Sequence, residues 1–143
     1  MFGKKKSTPQ TRIDSLIGAG TRVDGNVTFS GGLRVDGIVH GDIAGSSETD
    51  ATLVISEQAT VEGEIRVAHL VVNGIVKGPI HALESLELQP RCRVTGDVYY
   101  TSLEMHLGAV VDGRLMHRSE ADIKKVEKVE KVELTVAPRA SAG

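Results

Sequence analysis

Between Leu33 and Ile43 the chain alternates. Leu33, Val35, Gly37, Val39, Gly41 and Ile43 fall on one side, and Arg34, Asp36, His40 and Asp42 on the other. A period of two puts successive side chains on opposite faces of a strand, which fits β-structure and not a helical stripe. The stretch from Leu70 to Ile80 repeats the arrangement almost position for position. Glycine on the inward face weakens a long flat strand, so its regular placement marks corners or a close approach of backbones.

The alternation belongs to a repeat. The string Val, any residue, Gly, any residue, aliphatic occurs six times, with its Val and Gly at Val23 and Gly25, Val39 and Gly41, Val61 and Gly63, Val76 and Gly78, Val94 and Gly96, and Val111 and Gly113. Two residues before each Val stands a small residue (Thr21, Gly37, Ala59, Gly74, Cys92, Ala109), and six before it an aliphatic residue or Met (Ile17, Leu33, Ile55, Leu70, Leu88, Met105). The Val-to-Val steps are 16, 22, 15, 18 and 17 residues. The long step contains Ala44–Thr52, whose loop composition predicts a surface insertion.

An all-β repeat of 15–18 residues with regular bends predicts a single-stranded parallel β-helix, a triangular solenoid of about six rungs. Each rung would hold three short strands and stack about 4.8 Å above its neighbour, giving a rod roughly 29 Å tall. Equivalent side chains would form columns through the core, and no rung could bury its apolar face alone. The organisation expected is a disordered tail over 1–14, the β-helix over 15–117, and a charged, disordered tail over 118–143.

Composition narrows the functional classes. Hydrophobic residues make up 40% of the chain but aromatics only 3%, so the core must be built of small layers and not large anchors. A net charge of −2 and few aromatics for base stacking argue against direct nucleic-acid binding. Cys92 is the only cysteine, which suits a reducing compartment, and it falls in the small-residue column as a packed core thiol. The basic start lacks a following apolar stretch, and no run approaches the roughly 18 residues of a spanning helix. A cytoplasmic protein is expected, with the membrane surface as a place of attachment.

Six such rungs in about 100 residues, short polar tails and a start reading M-F-G-K-K-K resemble the bactofilins. The likeness covers Ser15 to His117 and the first six residues. It implies a right-handed helix, nucleotide-independent assembly into non-polar filaments joined head to head and tail to tail, and a cytoskeletal role in cell shape or in positioning partners. Such partners would be cell-wall enzymes or chromosome-positioning proteins. Family members often carry a large aromatic at the polymer contact in the last turn. Here the last rung has no Phe.

A solenoid has two open ends, each with unpaired backbone groups and the apolar top of the core. The sequence shows no capping repeat. The N-terminal polymerisation face would comprise Ile17, Val23 and Val27, and the C-terminal face Leu103, Met105, Leu107, Val111, Leu115 and Met116. Met1, Phe2, Lys4, Lys5 and Lys6 pair an apolar tip with positive charge, which suits the anionic inner leaflet of the membrane. Lys124–Leu134 has valines three apart, a poor helical period.

The alternative is a β-helical trimeric enzyme of the hexapeptide-repeat acyltransferase or carbonic-anhydrase type. Those need a strict six-residue period, which the varying rungs lack. A zinc site would need about three converging ligands, and the five histidines (His40, His69, His81, His106, His117) occupy different columns. The glycines alternate with valines in strands and lead into no helix, so no phosphate loop is present. The sequence therefore predicts no catalytic residue, no cofactor, no metal, and a second copy of the chain as first partner.

Overall fold

The structure is a computed structural model that describes residues 13–46 and 50–118 of the chain. Sixteen strands and no helix make up these residues, and every strand pair is parallel. They wind into a β-solenoid of six rungs with three sides. The first side stacks β1 (Ser15–Ile17), β4 (Gly32–Val35), β7 (Thr52–Ile55), the later part of β9 (Ile65–Val72), the later part of β11 (Ile80–Leu88), and β14 (Leu103–Met105). The second stacks β2 (Arg22–Asp24), β5 (Ile38–His40), β8 (Thr60–Glu62), β10 (Ile75–Lys77), β12 (Arg93–Thr95) and β15 (Val110–Asp112). The third stacks β3 (Val27–Phe29), β6 (Ile43–Gly45), the early parts of β9 and β11, β13 (Val98–Tyr100) and β16 (Leu115–His117). Because β9 and β11 run round a corner without a break, the first and third sides join as one sheet.

The valine column predicted from the repeat is the register of the second side: Val23, Val39, Val61, Val76, Val94 and Val111 pair in succession. Its four inner members are fully buried, as are Ile43, Ile65, Ile80 and Val98 on the third side. Each such side chain contributes about 1.5–3 kcal/mol relative to exposure. Cys92 is buried among them, and burial pushes its thiol above the usual range.

The glycine after each valine turns the second side into the third. Gly63 has φ +153°, and a Cβ there would lie 2.5 Å from the Gly41 carbonyl carbon and closer still to its oxygen. Gly41, Gly78, Gly96 and Gly113 meet the glycine one rung below in the same way, so the six form a ladder whose backbones touch where a side chain would stand. Their amides hold it: Gly41 donates to Glu62 O and Gly63 to Lys77 O, each at 2.9 Å.

Two details differ from the sequence reading. The aliphatic column six residues before each Val is two columns. Ile17, Ile55, Leu88 and Met105 align with Val35 and Val72, whereas Leu33 and Leu70 align with Leu53, Leu86 and Leu103. The cause is corner length. Rungs one, three, five and six turn from the first to the second side through four residues closed by a backbone hydrogen bond: Thr21 to Gly18, Ala59 to Ser56, Cys92 to Gln89, Ala109 to His106. Rungs two and four turn through two, Asp36-Gly37 and Asn73-Gly74. A Cβ at Gly37 or Gly74 would strike the carbonyls of the turn below, so each short corner nests on a long one. The insertion is also shorter than its composition suggests: Ala44 and Gly45 belong to β6, Thr52 opens β7, and Ala51 is fully buried.

Candidate functional site at the ends of the solenoid

The columns end in half-open residues. Val35, Val39 and Ile43 are buried, but Ile17, Val23 and Val27 beneath them are only partly covered, as is Phe29. At the other end, Leu88, Val94 and Val98 are buried, while above them Val111 is only partly covered and Met105 and Leu115 are open, at 43% and 39% exposure. Leu103 packs partly against the core. The same residue types in the same columns thus differ only in whether a rung lies on both sides.

Two of the sequence-predicted face residues sit elsewhere. Leu107 projects from the last four-residue turn, 95% exposed. Met116 aligns with Tyr99, whose ring stacks on His81 at 4.7 Å on the outer wall. Sequence reasoning also passed over Leu16 and Ile13, both exposed in and before the first rung.

Backbone groups at each end have no further described rung to meet. Gly96 and Val98 donate upward to Asp112 O and Arg114 O at 3.1 and 2.8 Å. Gly113 and Leu115 hold the same positions in the last rung, with no further rung above them among the described residues. At the first rung, Gly25 and Val27 donate up to His40 O and Asp42 O, so the matching carbonyls of Asp24 and Asn26 face outward. Two ion pairs stand near the rims: Arg22 with Asp24 at 3.2 Å, and Arg114 with Asp97 at 3.2 Å. The hydrogen bond from Arg114 holds the Asp97 carboxyl below its usual range, and Asp97 in turn raises the guanidinium. An apolar centre with a polar rim is the anatomy of a protein–protein contact.

The outer wall has two further clusters. On the third side His81, whose Nε2 lies 3.0 Å from Glu64, stacks on Tyr99, and the Arg118 guanidinium lies 4.4 Å above the same ring. Burial, then the Arg66 charge, holds His81 below the usual imidazole range. On the first side Glu87, Glu104 and His106 converge, their ligand atoms within 4.8 Å of one another. The columns of the repeat do not reveal this cluster, because it crosses two rungs through a turn. The tip at Met1, Phe2 and Lys4–Lys6 and the segment Lys124–Leu134 lie outside the described residues. Among the described residues no helix is long and apolar enough to cross a membrane.

Comparison with known proteins gives a consistent result. A family model described as bactofilin, polymer-forming cytoskeletal, matches residues 15–116. The chain is 29% identical over 116 residues to bactofilin BacP of Myxococcus xanthus (strain DK1622), covering 80% of this chain and 47% of BacP. It is 28% identical over 102 residues to bactofilin BacO of the same organism, covering 71% of this chain and 78% of BacO. The chain therefore spans about half the length of BacP. No solved structure matches it.

Proposed function

We propose, from the premise that this chain belongs to the bactofilin family of polymer-forming cytoskeletal proteins, that it assembles end to end through the bare tips of its solenoid, without nucleotide. The observation that carries this reading is the contrast within single columns: Val39 and Val94 are buried, and Val23 and Val111 at their ends are not. A second copy seated on an end supplies the missing rung. Covering a few hundred Å² of apolar surface is worth several kcal/mol at about 25 cal/mol per Å², before the cost of association.

The joints are two-fold, N-face to N-face through Ile17, Val23 and Val27, and C-face to C-face through Leu103, Met105, Val111 and Leu115. Leu107 and Met116 flank the second. A single isologous contact closes on itself, but two different ones on one rod propagate into a filament without polarity. Such a filament is a cytoplasmic scaffold for cell shape or for positioning wall enzymes or chromosome-associated partners. Its Phe2 and lysine tips, repeated along the polymer, gain avidity for an anionic leaflet that one tip lacks.

One substitution tests both the end contact and its sense. Leu115→Arg places a charge in the C-face and should leave folded protein sedimenting as dimers held by their N-faces. Filaments as long as those of the parent chain would reject the end-face reading; monomers would replace two-fold joints with head-to-tail ones. Deleting Phe2–Lys6 should abolish cosedimentation with phosphatidylserine vesicles and spare the filaments, and unchanged cosedimentation would remove the membrane role.

A further inference from the structure

The cluster on the first side differs from the carboxylates of the wall that are paired with a cation. Asp24, Asp36, Glu57, Glu62 and Asp97 each face an Arg or Lys: Arg22, Arg34, Arg91, Lys77 and Arg114. Among the described residues Glu87 and Glu104 face none, although they are direct partners in adjacent rungs. Like charges stacked across a parallel pair repel. What stands between them is one imidazole: His106 Nε2 lies 3.0 Å from Glu87 Oε2 and 3.4 Å from Glu104 Oε2.

The geometry is that of a ligand set. A tetrahedral zinc ion with bonds of about 2.1 Å holds its donor atoms about 3.4 Å apart, close to the two separations from the imidazole nitrogen, and all three donor atoms lie within 4.8 Å of one another. Both carboxylates approach the same ring nitrogen, so one ion can collect all three donors. His40 offers the contrast. It also lies between two carboxylates, but Asp24 faces its Nδ1 at 3.3 Å and Glu62 its Nε2 at 3.7 Å, on different ring atoms. No single ion reaches that set. The His106 backbone and the Glu87 carboxylate are each held by a further bond. Its amide donates to Leu88 O at 2.9 Å, and Gln89 Nε2 donates to Glu87 Oε2 at 3.3 Å.

We propose that Glu87, Glu104 and His106 form a site for a divalent metal of the zinc class, which clamps the terminal rung onto the rung beneath it. One imidazole with two carboxylates suits zinc and its neighbours over magnesium. The fourth position faces solvent, and water fills it. The site stands on its own geometry and does not depend on how the ends assemble.

The test is calorimetric titration of the chelator-treated full chain with zinc chloride, repeated with magnesium chloride. One zinc per chain is expected, and no magnesium heat at the same concentrations. His106→Ala should lower zinc affinity by more than the roughly 10–100-fold typical of losing an outer-shell partner. Glu104→Gln should weaken it too, and His40→Ala should leave it unchanged. All three positions lie on the outer wall, and far-ultraviolet circular dichroism checks that the variants keep the parent fold. No heat with the parent chain, equal magnesium binding, or a His106→Ala isotherm matching the parent overturns the proposal. Sedimentation of His106→Ala without metal separates the two readings: filaments that persist leave assembly standing whatever the zinc result.

Discussion

The glycine ladder makes a prediction that can be divided into parts. Gly63→Ala introduces two penalties. Its φ of +153° is one that a side chain rarely adopts, worth about 1–3 kcal/mol. The new Cβ also meets the Gly41 carbonyl, a backbone group that cannot rotate away; overpacking of this kind costs about 1–3 kcal/mol. Gly25 has φ +142° but nothing within 4 Å of its Cβ position, because no described rung lies beneath it. Gly25→Ala therefore carries the conformational penalty alone. Gly113, without a positive φ, has the Gly96 carbonyl carbon 2.6 Å from its Cβ position, so Gly113→Ala carries the contact penalty alone. The expected order is Gly63→Ala, about 2–6 kcal/mol, above either end variant at about 1–3 kcal/mol. A domain with 5–15 kcal/mol of stability would feel the first severely. Urea denaturation followed by circular dichroism measures this, across protein concentrations so that assembly is separated from folding. If Gly63→Ala and Gly25→Ala agree within about 0.5 kcal/mol, backbone contact between rungs is not what selects glycine here.

Acid should loosen the third side. Burial keeps His81 below its ordinary value of 6.5, so the unfolded chain binds the proton more readily. Its contribution is complete above about pH 6.5 and declines as pH falls toward the folded value, by at most about 1.4 kcal/mol per pH unit. His81→Phe keeps a ring against Tyr99 and should flatten the urea midpoint between pH 7.5 and 5.5; an unchanged slope would assign the acid sensitivity elsewhere. Cys92 is buried with its thiol raised, so a disulfide reagent should label it only through opening, at least about 100-fold slower in buffer than in urea. Equal rates would show that the fifth rung is not closed.

What was legible in the sequence was whatever stays constant from rung to rung. Each Val precedes its Gly by two residues in every copy, so the string aligned the second side and the corner after it without error. Counting back six residues from Val failed at Leu33 and Leu70 because two corners are shorter by two residues. A shift of two keeps a residue on the same face, so the pattern still looked continuous and the slip left no polar residue in the core. The Asp-Gly and Asn-Gly pairs at Asp36 and Asn73 were the available signal. The ends followed from the same columns once the rungs were counted. The Glu87, Glu104 and His106 cluster could not, since its members meet only when the last turn is folded above the fifth rung.

The nesting of short corners on long ones gives the rod a grain. Rungs one and two form a matched couple, as do three and four, each with a Gly37- or Gly74-type corner seated on a closed turn. Rungs five and six are both long, and there Gly108, at φ +103° against Pro90, relieves the crowding. The natural module for lengthening such a protein, by gene duplication or by a designer, is therefore a couplet and not a lone coil. Each couplet would add about 9.6 Å to the axial repeat, and a single copied coil would bring two unmatched turns face to face.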